Sequence, residues 1–163
     1  MDDFAEIYQS YYARVHRYLL SLSGSEQQAD SLTQEVFYRA LLHIGAYRNC
    51  RSMFAWLCAI GKNAWLDACR KQKRLVSAED ALQQMPSTAP DPEAVTLERE
   101  RQSALRSAVL ELPGIYRDVV ILHVYGEIPL REIAAQKGKS ESWGKVTFCR
   151  AKRMLAQKLE GLK

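Results

Sequence analysis

Three closely spaced prolines, Pro86, Pro90 and Pro92, constrain this chain more than any other feature. Proline has no backbone N–H and is barred from a helix interior, so Met85-Pro-Ser-Thr-Ala-Pro-Asp-Pro92 reads as a flexible linker. It divides the chain into halves of roughly 75 and 70 residues, each near the lower size limit for independent folding. The expected organisation is a domain over residues 1–75, a linker over 76–92 and a second domain over 93–163.

Helical spacing dominates both halves. Phe4, Ile7, Tyr8, Tyr11, Val15, Tyr18 and Leu19 form one stripe behind an Asp3 cap and end near Gly24. Ser25 and Gln28 have the pattern of a capping box. The helix they open carries Ala29, Leu32, Val36, Phe37, Ala40 and Leu41 on its apolar side, and Gly45 suits its end. The polar run Ala46-Tyr-Arg-Asn-Cys-Arg51 reads as a loop. Ser52 then caps a third helix that buries Met53, Trp56, Leu57, Ile60 and Ala64 and ends near Arg74. Beyond the linker, Asp91-Pro92 starts a helix through Leu112, and a short helix leads to Gly126. Pro129 opens Leu130–Gln136, Lys137-Gly138-Lys139 forms a turn, and Ser140 caps a last helix to about Gly161. No useful β-alternation is present. The predicted fold is all-α, with two small helical domains joined by a flexible linker and a helix-turn-helix in the second.

Composition narrows the class. With 47% hydrophobic residues the chain can build a core, which excludes a disordered polymer. No stretch approaches the ~20 apolar residues of a membrane span. Met1-Asp2-Asp3 is acidic, unlike a basic secretory leader. Cys50, Cys58, Cys69 and Cys149 form no C-x-x-C pair and are expected to be reduced thiols. A cytoplasmic protein without membrane insertion is the expectation.

The charge is unevenly placed. Residues 62–74 carry five Lys or Arg and one Asp, and residues 137–163 carry eight Lys or Arg and two Glu. Between them, residues 79–101 carry six acids and two Arg. Two basic blocks around an acidic middle suggest two surfaces for a long anion, nucleic acid.

Catalytic chemistry finds little support. His16, His43 and His123 lie on separate helices without partners at metal-ligand spacing. No Gly-rich phosphate loop, G-x-S-x-G or H-E-x-x-H occurs. No catalytic residue, metal or cofactor is expected.

Three polar faces remain as candidate sites. On the last helix Gly144, Phe148, Ala151, Leu155 and Leu162 share the packing side. Ser142, Val146, Cys149, Arg150 and Arg153 project the opposite way, with Lys145 on the flank. That division of an apolar back from a polar front suits a recognition helix in a major groove. On the third helix Asn63, Asp67, Arg70 and Arg74 form a stripe, and Lys62, Lys71 and Lys73 broaden its positive field. Tyr47 and Asn49 sit just before that helix, where an unstacked base could be received. Trp56, although aromatic, is expected in the core. On the second helix Asp30, Gln34 and Tyr38 align, with Glu35 and Arg39 beside them. An acidic-polar stripe does not hold phosphate; it is either solvent surface or a docking face for a protein.

These segments together resemble a known family. Phe4-Ala-Glu-Ile-Tyr and Tyr12–Leu20 are similar to the opening of the extracytoplasmic-function (ECF) sigma factors of bacterial RNA polymerase. Asp30-Ser-Leu-Thr-Gln-Glu-Val-Phe-Tyr-Arg-Ala40 resembles their core-binding helix. Phe54–Asp67 and the basic run after it resemble their helix for the minus-ten promoter element. Leu112-Pro, Arg117, Arg131-Glu-Ile-Ala134 and Arg150-Ala-Lys152 resemble their minus-thirty-five-binding domain. The resemblance runs in family order over nearly the whole chain except the linker.

The resemblance implies that Asp30, Gln34, Glu35 and Arg39 dock on core RNA polymerase. It implies that Asn63 and the loop Tyr47–Arg51, with Asn49 and Arg51, capture a flipped minus-ten base. Lys62, Arg70, Lys71 and Arg74 would then hold the backbone. It places Lys145, Val146, Cys149 and Arg150 in the minus-thirty-five major groove, beside Ser142 and Arg153 of the same helix front. Promoter DNA and core polymerase are the implied partners, together with an anti-sigma factor wedged against both domains. Nucleotide chemistry is left to the polymerase. The chain departs from the family pattern at Gly144, where an apolar residue is usual, at Thr147 for a frequent Arg, and at Pro129 for Ser. A stand-alone helix-turn-helix regulator is the alternative, but it would need a ligand or dimer domain in place of the first half. An enzyme acting on nucleic acid is a third reading, which the lack of acid clusters and metal ligands disfavours.

Overall fold

A computed structural model describes residues 2–49, 52–78 and 93–161; within these the side chains of residues 2, 3, 46, 48, 49, 76–78 and 93–96 fall outside the described set. Among the described residues seven α-helices follow one another: α1 (Asp2–Ser23), α2 (Glu26–Leu42), α3 (Met53–Ala78), α4 (Glu93–Leu110), α5 (Gly114–Val120), α6 (Leu130–Gln136) and α7 (Glu141–Glu160). A 3-10 helix, Ile44–Asn49, joins α2 to α3, and α5 runs on into a π-helical turn, Ile121–Tyr125. Among the described residues there is no strand.

The caps read from the sequence form where the side chains can reach. Ser25 Oγ accepts from the Gln28 amide at 3.3 Å, Ser52 Oγ from Ala55 at 3.2 Å, and Ser140 Oγ from Trp143 at 3.2 Å. Each satisfies an amide that the first helical turn leaves without a partner. Four boundaries differ from expectation: α1 already begins at Asp2, so Asp3 lies inside it rather than capping it, and α4 ends at Leu110 rather than Leu112. The segment read as a polar loop winds into the 3-10 helix through Asn49, and α3 continues past Arg74 to Ala78. The linker at 79–92, read as flexible, lies outside the described residues.

Helices α1, α2 and α3 pack into one bundle through Val15, Leu19 and Leu22, through Ala29, Val36 and Phe37, and through Leu57, Cys58 and Trp65. Burying a leucine or valine contributes about 1.5–3 kcal/mol, so this cluster dominates the stability of the first half. The Tyr18 hydroxyl, buried with it, donates to the Cys58 carbonyl at 3.2 Å. In the second half Val109, Leu112, Val119, Ile121, Leu122, Ile128, Ile133 and Ala151 form the packing centre. His123 closes the π-helical turn by donating from Nδ1 to the Ile128 carbonyl at 2.8 Å, with its ring against the edge of Phe148.

The halves also touch each other. The π-helical turn packs against α1 and α3, and the buried side chains of both halves form one continuous cluster. At the seam the Arg106 guanidinium lies over Gly24 and donates to the Ser21 carbonyl at 3.4 Å. Gly24 has φ +74°, so the backbone calls for glycine, while the atoms a Cβ would meet belong to the movable end of Arg106.

Candidate nucleic-acid and polymerase interface

The α6–turn–α7 unit builds the most sharply divided surface. Lys137 ends α6, and Gly138 turns the chain at φ +68°, where a side chain would be strained. The Lys139 amide then closes back on the Ala134 carbonyl at 2.8 Å. Gly144 lies in the crossing of α7 over α6. A Cβ there would stand 3.0 Å from the Leu130 carbonyl oxygen, so the missing side chain lets the helices approach. Thr147 is buried beside it and donates its hydroxyl to the Trp143 carbonyl at 2.7 Å. The two family departures on α7 therefore both belong to the packing side.

On the other side Ser142, Lys145, Val146, Cys149, Arg150 and Arg153 are all exposed, and Val146 is an apolar residue 48% open to solvent. Lys145 pairs with Glu141 one turn earlier at 3.6 Å. Cys149 is a free, exposed thiol. The arrangement offers a basic and small-residue front on a rigidly backed helix, the form a major groove admits.

On α3, Asn63, Asp67, Arg70, Lys71 and Arg74 are exposed along one side. Asp67 accepts from Arg70 Nη1 at 3.4 Å, which holds that guanidinium on the stripe. Tyr47, half-buried, sets its ring 5.6 Å from that of Trp56. Trp56 packs against the core, as its spacing suggests, but is only half-buried and lines a cleft between the halves. The side chain of Asn49 and the whole of Arg51 lie outside the described residues.

Lys62 is the correction. It was read as part of the basic field on α3, yet its ammonium is buried and sits 3.0 Å from the Asp118 carboxylate of α5. Burial pushes this lysine below its ordinary value, and the hydrogen bond to Asp118 pulls the other way. In this arrangement Lys62 cannot meet a phosphate.

The third face lies on α2. Asp30, Gln34, Glu35 and Tyr38 are exposed, followed by Leu41 and Leu42. His16 of α1 is bonded to Asp30 at 2.7 Å, and Arg39 bonds Glu35 at 2.9 Å. The same Arg39 reaches Asp67 at 3.3 Å, which the sequence did not suggest because the two lie on different helices. The Glu35 hydrogen bond raises Arg39 above the usual arginine value, ahead of its contact with Asp67. The two faces of the first half are thus joined by a chain of ion pairs.

Comparison with known proteins agrees with this layout. Residues 7–75 match the Sigma-70 region 2 family and residues 102–155 match the Sigma-70 region 4 family. The ECF RNA polymerase sigma factor SigM of Bacillus subtilis is 32% identical over 151 residues, covering 92% of this chain and 91% of SigM. SigW of the same organism is 28% identical over 141 residues, 81% of this chain and 75% of SigW. Among solved structures, the sigma factor RpoE of Bartonella quintana, in complex with the anti-sigma factor NepR, superposes with a TM-score of 0.59 at 19% identity, with 98% of each chain covered. CnrH in complex with the cytosolic domain of CnrY gives a TM-score of 0.62 at 22% identity, covering 97% of this chain and 88% of CnrH. Both share the fold. The class these features define is a helical promoter-recognition subunit. The chain belongs to the ECF RNA polymerase sigma factors, which direct promoter recognition.

Proposed function

We propose that the chain works as a two-part, non-catalytic specificity subunit in the cytoplasm, with residues 1–75 and 93–163 as its units and 76–92 between them. The α2 face of Asp30, Gln34, Glu35 and Arg39 docks on core polymerase. The α3 stripe of Asn63, Arg70, Lys71 and Arg74, with Tyr47, Asn49 and Arg51 before it, takes the minus-ten element. The α7 front of Ser142, Lys145, Val146, Cys149, Arg150 and Arg153 takes the minus-thirty-five element.

The observation that carries this reading is the presence of two separately backed, exposed polar helix faces, on α3 and α7, in one chain. A regulator of duplex DNA needs only the second. The anti-sigma factor NepR bound to RpoE of Bartonella quintana supports a partner of that kind here. In-vitro transcription with purified core polymerase over a promoter library tests the function. Transcripts from templates sharing two spaced sequence blocks, dependent on this chain, are expected. Binding to duplex DNA without core-dependent transcripts would favour a stand-alone regulator instead.

A further inference from the structure

Asp118 holds three cations at once. Lys62 Nζ is 3.0 Å away, Arg117 Nε 3.6 Å and Lys137 Nζ 3.7 Å. Arg117 and Lys137 belong to the same half as Asp118, whereas Lys62 comes from α3 of the other half. The lysine side chain is only 9% exposed and the aspartate 16%. Arg131 and Glu132 stand on the neighbouring wall of the cleft, about 730 Å³ in volume, which Ser52 and Trp56 line from the α3 side.

A promoter imposes a length on the chain. Its two elements are named for positions about 25 base pairs apart, roughly 85 Å along B-DNA at ~3.4 Å per pair. A compact chain of this size has a radius of gyration of only about 15 Å. The halves therefore cannot stay in contact through Lys62 and Asp118 while each occupies its own element on straight DNA.

We propose that Asp118 acts as an internal phosphate substitute, holding the free chain closed and keeping Lys62 from the minus-ten backbone until the halves part. The idea rests on the minus-ten reading of α3. The geometry makes the switch reversible at small electrostatic cost to the second half. On opening, Asp118 keeps Arg117 and Lys137, and Lys62 regains water or a DNA phosphate. Losing Asp118, by contrast, penalises the closed form, because a buried ammonium would be left among other cations without its anion.

The full chain tests this by small-angle X-ray scattering, together with fluorescence anisotropy on a labelled mixed-sequence single-stranded 12-mer. Asp118→Asn is expected to raise the radius of gyration by several ångströms and to tighten binding of the oligonucleotide. The rest of the α3 stripe is already exposed in the closed form, so opening adds the Lys62 contact alone and tightens the apparent affinity severalfold. Lys62→Ala is expected to expand the chain in the same way with no gain in affinity, since the released lysine is gone. Glu132→Gln changes the net charge as Asp118→Asn does without touching Lys62, and equal tightening there would overturn the release of Lys62. A folded Asp118→Asn chain with the wild-type radius would overturn the proposal. So would expansion without tighter binding, which removes the competition for Lys62. Should Asp118→Asn lose helical content, Lys62→Ala decides, and an unchanged radius there also overturns it. The scattering result does not depend on sigma activity, so failure of the latch and failure of the functional reading remain distinguishable.

Discussion

Arg39 of α2 and Asp67 of α3 meet at 3.3 Å, and through them the stripe proposed to dock on polymerase touches the one proposed to take DNA. Glu35 holds the guanidinium from one side at 2.9 Å, and Asp67 in turn accepts from Arg70 at 3.4 Å. All four groups are substantially open to water, so each link contributes on the order of 0–1 kcal/mol. The network orients side chains rather than stabilising the fold. Asp67→Ala should therefore lower the melting temperature by no more than about 4 °C, a difference that fades at high salt. Thermal unfolding at low and high ionic strength measures it. A larger loss that persists in salt contradicts a solvent-screened network.

Docking is tested on the exposed end of the same helix. Asp30→Ala combined with Gln34→Ala should weaken binding to core polymerase about tenfold, equivalent to about 1.4 kcal/mol, with helical content unchanged. Asp30 loses only an exposed bond to His16, so the fold has little to lose with it. Titration of labelled core with the variant gives the answer. Undiminished affinity removes this face from the polymerase contact.

The local part of the architecture was legible in the sequence because its causes are local. A serine cap needs only the amide three residues on, and the front of α7 follows from 100° steps around a helix. Gly144 and Thr147 were harder, since they stood out as departures whose reason is the close crossing with α6. Lys62 was illegible for a different cause. It follows Gly61 and precedes Asn63 in a basic run, and nothing near it signals that its partner lies 56 positions away on α5. For Trp56 helical spacing gives the direction toward the core but not the cleft that its other side lines. The chain of ion pairs from Glu35 to Arg70 likewise depends on how α2 crosses α3.

Gly144 separates packing from recognition. Replacing it by leucine drives a side chain toward the Leu130 carbonyl, which as backbone cannot rotate away. Overpacking of this kind costs about 1–3 kcal/mol, although leucine is the better helix former by up to ~1 kcal/mol. Gly144→Leu should lower stability and weaken minus-thirty-five binding while core docking through α2 survives. Denaturant titration sets the sign. A stabilised variant would show that α6 and α7 are not tightly apposed.

Cysteine labelling reports the orientation of α7. Cys149 is exposed and should react rapidly with a maleimide in the free protein, whereas burial holds Cys58 well above the usual thiol value and inert. Promoter DNA together with core polymerase should protect Cys149. Mass spectrometry of labelled peptides follows the rates. Slow labelling of free Cys149, or labelling indifferent to promoter, contradicts its place on the groove-facing side.

The claim at the centre is that the exposed stripe of α3 takes a minus-ten base once the strands part. Permanganate footprinting of a promoter with core polymerase tests it most directly, comparing wild type with Asn63→Ala. Asn63 is exposed and has no packing role, so its loss should leave core affinity intact. A lost base contact of about 1–3 kcal/mol should reduce thymine reactivity near the minus-ten element by roughly ten- to hundredfold. Equal reactivity with the two proteins at equal core occupancy would contradict the assignment.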